Sequence, residues 1–584
     1  MIGPYSQLDR SLREIRLLEL TYGNYDDNLV LALHIESLNR KPLAYHALSY
    51  AWGTAASSQK ALIDGKETVV GLNLDCALRH IRCSLTEPIL IWVDALCINQ
   101  HDLDERSFQV LLMKDIYSLA ERVLIYLGPE HPGDADAIER IQQDQVPQSE
   151  EDVHTLLNQV ESICQRTWFG RVWVAQELAL SQRDPKVYLG ASTLPWSDFY
   201  RYVINLDLRK PSSLDGNPRL FPFMQTVDKV QRLGRVRAFR TTSLNLQIYR
   251  SAPALATDPR DKAFGLLGIC AFNPGQAVLD PDYTKSTQRV FAETTVSMLQ
   301  EGDNLPYGLL PMQPPRIVPE GSSYRRLPDL PSWVLDLNIS SQVPGLCGQN
   351  GPYWLIPNRA VHPGALLKNA NHIPDRVRVS EDFKCLHTYG VHLGTIVAVY
   401  SSVINADCFG YYKRATALRE IYHTYMEPRK IAAQSLLHAL TVDRKPPVLD
   451  PLLAEQFPAV FEQLLESQDE ITFPSAFFDI MVALSGHEEC HLFFTDDDRV
   501  GITYHPNTED GVRVGDVIAG LLGINFPFVL RAGVEVFNGA PAYAMVNVAH
   551  VADHQWEHDF LKDAGPDARW SDFENHGLKG YTII

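Results

Sequence analysis

Between residues 45 and 190, four short apolar runs alternate with helical patterns, and no other feature limits the fold as sharply. The runs are HALSYAW, ILIWV, RVLIYLG and KVYLG. Their length and their Ile, Val and Tyr content favour buried strands over helices. Between them, LNLDCALRHIR places Leu74, Leu78 and Ile81 along one helical face. DERSFQVLLMKDIYSLAE does the same with Phe108, Leu111, Leu112, Ile116 and Leu119, and Asp104 stands where an N-cap is expected. A third helix, RVWVAQELALS, closes the stretch. Alternation of this kind predicts an α/β domain: a mostly parallel, flavodoxin-like sheet with helices on both faces. The polar segment ERIQQDQVPQSEEDVH reads as a surface excursion.

The 584 residues are too many for one core, so several domains are expected. Residues 1–44 form an N-terminal β segment with one strand candidate, LVLALHIES. The α/β domain spans 45–190. A mixed helical and linker region, 191–345, holds a helix near TTVSML and the proline-rich run LLPMQPPRIVPEGSSYRRLPDLPSW. A mixed β/α region, 346–488, reads as β-rich from 375 to 405 and helical from 410 to 487. A β-rich domain, 489–584, carries CHLFFTDDDRVGITYHP, GDVIAGLLG, FPFVLRA and AYAMVNVAHV, whose spacing suggests a small barrel or sandwich.

Several function classes are disfavoured. A net charge of −19 argues against nucleic-acid binding, which needs a concentrated basic surface. No run of about 18 apolar residues predicts a membrane span. The N-terminus MIGPYSQLDRSLREIRLLEL has no signal-peptide core. Nine cysteines, scattered without a C-x-x-C pair, fit reduced thiols and a cytoplasmic location. Neither G-x-G-x-x-G nor G-x-x-x-x-G-K follows the first strand, G-x-S-x-G is absent, and no H-E-x-x-H predicts a metal. EHPGD and GHEECH read as polar loops rather than metal sites.

In an open parallel sheet, ligands collect beyond the carboxyl ends of the strands. The first strand ends in Ser49, Tyr50, Trp52 and Gly53, the second in Asp94, Cys97, Asn99 and Gln100, and the third in Gly128 and Pro129. This rim of amides, an acid and aromatic faces suits a nucleotide or another planar polar ligand. Each residue also has a plainer reading: Asp94 as a loop cap, Trp52 as an edge anchor and Cys97 as packing. Glu177 stands out because its helix is apolar almost all round, with Trp173 one turn back. A carboxylate in such a place is paired, neutralised or used. Arg171 and Arg166 are the candidate partners for a structural role. Glu105 and Arg106 read as paired with neighbours on an exposed helix start, and Asp258, Arg260 and Asp261 in TDPRDK as a salt-bridged interdomain clamp.

Taken together, YHALSYAWG, LNLDCALRHIR, ILIWVDALCINQHDLDERSFQVLLMKDIYSLAERVLIYLG and RTWFGRVWVAQELALS resemble the fungal heterokaryon-incompatibility (HET) domain, in the order and spacing of that family. ATDPRDKAFGLLGI, LDPDYTKS, LPSWVLDL and GDVIAGLLGINFPFVLR resemble the flanking regions of its large members, whereas AYAMVNVAHVADHQWEHDF departs from the family's usual ending. The resemblance implies a role in non-self recognition between fungal strains and in programmed cell death, with a protein partner from an incompatible allele or locus. Through a distant likeness to TIR domains it further implies a TIR-like sheet and NAD as a substrate rather than a cofactor. Trp173 and Glu177 then match the W-x-x-x-E helix of NAD-cleaving members, with Tyr50, Trp52 and Asp94 near the nucleotide and homo-oligomerisation on activation. Two alternatives stay open: a non-catalytic partner-recognition module, and an enzyme of this fold acting on a small molecule in secondary metabolism.

Overall fold

The protein is described from a computed structural model. It describes residues 5–300 apart from 41, 54–57, 146–149, 210–219, 240–241 and 273–275. Beyond these it describes 326–338, 377–400, 417–433, 490–504, 511–521, 527–537, 540–551 and 577–584, with isolated positions between. The chain divides into two compact units, one of residues 1–272 and 278–290, the other of 273–277 and 291–584.

The first unit is built on nine strands and the helices that flank them. In chain order its elements begin β1 (Glu14–Leu20), β2 (Val30–Ser37), β3 (His46–Tyr50), β4 (Ser58–Ile63), β5 (Lys66–Gly71), α1 (Leu72–Cys83), β6 (Ile89–Trp92) and α2 (Asp94–Cys97). They continue α3 (Leu103–Leu119), β7 (Arg122–Tyr126), α4 (Asp134–Gln142), α5 (Glu150–Cys164), α6 (Val174–Leu180), β8 (Lys186–Leu189) and β9 (Ser192–Pro195). The four apolar runs are β3, β6, β7 and β8. They lie side by side as β6-β3-β7-β8, every pairing parallel. In order of occurrence this is 2-1-3-4, a doubly wound arrangement whose connections diverge between β3 and β7. Ala47, Leu48, Ile91, Trp92, Val123, Ile125, Val187 and Leu189 are all buried, as strands covered on both faces must be.

The sheet is larger than expected, and mixed. β1 joins β6 antiparallel, β2 joins β1, and the β4–β5 hairpin pairs through β4 with β2 at one edge, while β9 folds back on β8 at the other. Two strands therefore stand in the first forty residues instead of one. β1, EIRLLEL, carries an arginine that looks unfit for a core, yet Arg16 is only 1% exposed because its guanidinium pairs with Glu105. The hairpin turns at Asp64-Gly65, where both residues have positive φ (50° and 72°). A two-residue turn matching the strand twist needs that geometry, and Asp-Gly is its usual sequence.

Three further expectations change. Asp102, not Asp104, caps α3: its side chain accepts from the backbone N–H groups of Asp104 and Glu105. The polar excursion is helical on both sides of 146–149, because Ala137, Ile138 and Ile141 of α4 and Leu156, Leu157, Val160 and Ile163 of α5 make amphipathic stripes. The region after 195 is more regular than expected, with α7 (Trp196–Arg209), α8 (Leu220–Ala238), α9 (Leu244–Ser251) and α10 (Asp261–Phe264). Two very short parallel strands, β10 (Thr242–Ser243) and β11 (Cys270–Ala271), join there, and α11 (Thr287–Gln300) holds TTVSML. The proline-rich run lies mostly outside the described residues.

The second unit is β-rich, with β12 (Val377–Val379), β13 (Leu386–Tyr400), β14 (Cys490–Thr495), β15 (Val500–Tyr504), β16 (Val517–Leu521), β17 (Pro527–Phe537), β18 (Ala540–Val551) and β19 (Leu578–Ile583). β13, at 15 residues, pairs with β16 over residues 390–395 and with β14 over residues 396–400. The ring β13-β14-β15-β18-β17-β16 thereby closes on itself as a barrel. Leu393, Ile396, Phe493, Ile518, Val529, Val546 and Ala549 cluster in its core. The helices expected from 410 to 487 lie mostly outside the described residues, and the described stretch 417–429 is helical.

Candidate functional site

Glu177 lies on α6, a two-turn helix of which all seven residues are buried. Val174, Leu178 and Ala179 face the core, and the same packing takes the acid, 1% exposed, out of water with them. Its partners come from three other places in the chain. The hydroxyl of Ser49, at the carboxyl end of β3, donates to Oε2 of Glu177. Ser49 Oγ in turn accepts from the indole N–H of Trp168 at 2.7 Å. The Tyr117 hydroxyl, on α3, lies within reach of both the Leu48 carbonyl (3.0 Å) and the Glu177 carboxyl. Arg171 acts on Glu177 through its charge, while its Nη1 donates to the Tyr50 carbonyl.

Burial dominates the proton affinity of this acid. It pushes the Glu177 pKa up to about 7, against the opposing pull of Arg171 and the Ser49 hydroxyl. Asp94, the first residue of α2, is also raised by burial, opposed by Arg171, the Trp52 indole, the Ala95 N–H and the Tyr50 hydroxyl. Its Oδ2 accepts from Trp52 Nε1 at 2.8 Å and its Oδ1 from the Ala95 N–H at 2.7 Å. Two carboxyl groups thus share one guanidinium, and near neutrality one of them is poised between its two forms. That is the condition for general acid–base work at physiological pH.

The rim residues separate into two sets. Tyr50 is buried, and its hydroxyl engages Asp94. Trp52 is 45% exposed although its N–H is fixed, so its ring faces solvent in a set orientation. Gly53, exposed with φ +79°, makes the turn out of β3 that a side chain would strain. Tyr50, Trp52, Asp94 and Glu177 therefore gather about Arg171. Asn99 and Gln100 are engaged in their own loop: the Asn99 N–H donates to Glu105 Oε1 at 2.7 Å, and Gln100 Nε2 donates to the Asp94 carbonyl at 2.9 Å. Trp173 turns toward Asp261, whose carboxyl accepts its indole N–H. Cys97 is fully buried, as a packing residue is.

Tyr117 and Trp168 were not singled out in the sequence. The available signal was that an aromatic with a polar tip inside an apolar pattern needs a partner once buried. Arg166 is spent on Asp134 and the Pro129 carbonyl, and so is not the partner of Glu177. Glu105 and Arg106 do not lie on an exposed face. Glu105 pairs with Arg16 at 2.6 Å, and Arg106 stacks on Tyr283 at 3.6 Å and reaches Asp258 and Asp261. Those two aspartates, with Arg260 bound to Asp258, form a salt-bridged cluster inside the first unit. Among the described residues no group of His, Cys, Asp and Glu could hold a metal, and no helix is long and apolar enough to cross a membrane.

Two likenesses to known proteins bear on this part of the chain. The chain is similar to heterokaryon incompatibility protein 6, OR allele, of Neurospora crassa, with 29% identity over 395 residues. The match covers 56% of this chain and 58% of that relative. No solved structure matches the chain. The model of the family described as heterokaryon incompatibility protein (HET) matches residues 45–177, from Tyr45 before β3 to Glu177 itself. Residues 45–177, with the strands, helices and polar cluster described above, are thus similar to the heterokaryon incompatibility (HET) domain.

Proposed function

We propose that the protein is a fungal effector of non-self recognition, triggered by a protein partner from an incompatible strain, whose HET domain cleaves NAD. The reading rests on one observation: a buried carboxyl group, its pKa pushed up to about 7 by burial, is held by Ser49 at the carboxyl end of β3, the strand beside which the connections diverge. In the reaction the bond between nicotinamide and ribose breaks and the electron pair leaves with nicotinamide, which departs neutral. Water adds to the ribosyl cation, giving ADP-ribose and one proton. Carboxylates near the developing cation lower its energy, and more so where water is excluded. Trp52 offers its exposed face to the flat nicotinamide ring, Asp94 is the acid a ligand meets first, and Glu177 lies behind it. Loss of NAD in the fused cell then leads to death.

The test is NAD consumption by the purified full-length chain, alone and under crowding that favours assembly, together with growth of cells expressing it. Glu177→Gln is expected to lower turnover at least 100-fold and to remove toxicity, with the thermal transition retained. Trp52→Ala is expected mainly to raise KM. A Glu177→Gln chain as toxic as wild type would defeat the catalytic reading.

The burial of Glu177 favours a second reading, a recognition module without turnover. In it the hydroxyls of Ser49 and Tyr117 hold the acid as part of a rigid scaffold, and the rim around Trp52 grips a partner. Toxicity with no NAD loss, in wild type and Glu177→Gln alike, is the outcome this reading expects.

A further inference from the structure

The segment that matches the HET family ends at Glu177, but the helix bearing that residue is not held by that segment alone. Residues 251–271, beyond it, run alongside the chain entering α6. Leu255 brackets Arg171 by a parallel bridge: its carbonyl accepts the Val172 N–H at 2.9 Å and its N–H donates to the Gly170 carbonyl at 2.5 Å. Lys262, 4% exposed, donates to the carbonyls of Ala252 and Ala254 and so fixes the turn that delivers Leu255. Asp261 accepts the Trp173 indole N–H and the Tyr283 hydroxyl, the latter at 2.6 Å. The Gly268 N–H donates to Gln176 Oε1 at 3.0 Å, one residue from the acid.

The two glycines of the run AFGLLGI allow this approach. A Cβ on Gly268 would stand 2.6 Å from Gln176 Oε1, and one on Gly265 would stand 2.9 Å from the Asp261 carbonyl and 3.3 Å from both Trp173 and Val172. Neither site has room for a methyl group without displacement of a neighbour. The contacts fall on positions 170, 171, 172, 173 and 176, the residues that set the direction of α6 and of the Arg171 side chain.

We infer that residues 251–271 are a positioning element of the Glu177 site: they pin α6 at Arg171, Trp173 and Gln176 and so hold the Glu177 carboxyl against Ser49 and Tyr117. Gln176, Gly268 and Asp261 are its positioning residues. This inference concerns where the carboxyl is held and does not depend on NAD being cleaved. The functional domain accordingly extends about ninety residues past the family match.

The test uses the full-length chain and two single substitutions, Gly268→Ala and Gln176→Leu, each of which removes the same hydrogen bond. Amide exchange reports the hold on α6. The carboxyl band of Glu177, assigned in infrared difference spectra against Glu177→Gln, reports its ionisation. Both variants are expected to exchange amides 174–180 on the order of tenfold faster, with β3 and β7 unchanged. The Glu177 midpoint is expected to fall by about one pH unit, because water gains access to the acid. The double variant should add nothing to either single one. Unchanged exchange and midpoint in both variants would overturn the inference, as would exchange that quickens equally in α6, β3 and β7. The last pattern means general loosening, not positioning.

Discussion

Two acids in the first unit are taken out of water in different ways. At the start of α3, Glu105 receives both nitrogens of the Arg16 fork, at 2.6 and 3.0 Å, and the Asn99 N–H besides. Arg16 also donates to the carbonyls of Cys97 and Ser6, so one ion pair fastens β1, the loop after α2 and α3 together. On α6, Glu177 receives hydroxyl donors and feels a guanidinium committed to the Tyr50 carbonyl. The first carboxylate has a geometrically complete set of charged and amide donors, as a structural buried ion must. The second lacks that compensation, and its affinity for a proton rises instead. Pairing alone does not mark a candidate site; a raised proton affinity in a fully buried place is what singles out Glu177.

The largest expected effect tests the structural side. Arg16→Ala strands Glu105 in a largely buried position and should cost about 3–5 kcal/mol, seen as a lower midpoint in urea unfolding of the first unit. A loss below about 1 kcal/mol would mean that the pair behaves as a surface contact, and the contrast would collapse.

Next comes the pH dependence of Glu177. In the unfolded chain the group loses its proton near 4.5, the ordinary value for a glutamate, whereas the folded chain keeps it to about 7. Between those values the unfolded state binds fewer protons, so native stability falls as pH rises through the window and stays lower above it. Glu177→Gln should remove that slope, matching wild type at pH 4 and exceeding it at pH 8 by about 3 kcal/mol. Urea titrations at the two pH values check this. A variant less stable than wild type at pH 8 would mean that the carboxylate is paired after all.

The smallest effect is Asp102→Ala. It removes the two N–H acceptor contacts at the start of α3 and should cost about 1 kcal/mol. The Glu177 slope should be the same in this variant as in wild type, which separates the two regions once more.

The central strands of the first unit were legible because a strand buried on both faces is apolar at nearly every position. β3, β6, β7 and β8 have that character, and the parallel order followed. β1 was not legible, since its buried arginine is explained only by a glutamate 89 residues away. The same holds for the site. Glu177 was conspicuous as a charge in an apolar helix, but the burial of Trp168 and Tyr117 beside it depends on long-range packing. Asn99 and Gln100 drew attention by their place at a strand end, and only coordinates show how they brace their loop. The Asp64-Gly65 hairpin turn, which no expectation named, has its signal in local chemistry; the role of Gly268 has none, because nothing in AFGLLGI names Gln176 as its neighbour.

The contacts of Glu177 with Ser49, and of its helix with Gly268, have a consequence for synthesis. Ser49 leaves the ribosome long before Gly268 does, and at about 5–20 residues per second the interval is roughly 10–45 s. For that time the nascent chain carries β3 and then α6 without the segment that locks them together. The hold on Glu177 is therefore completed only well after the acid itself has been made, and a chain cut short before Gly268 lacks the bond to Gln176.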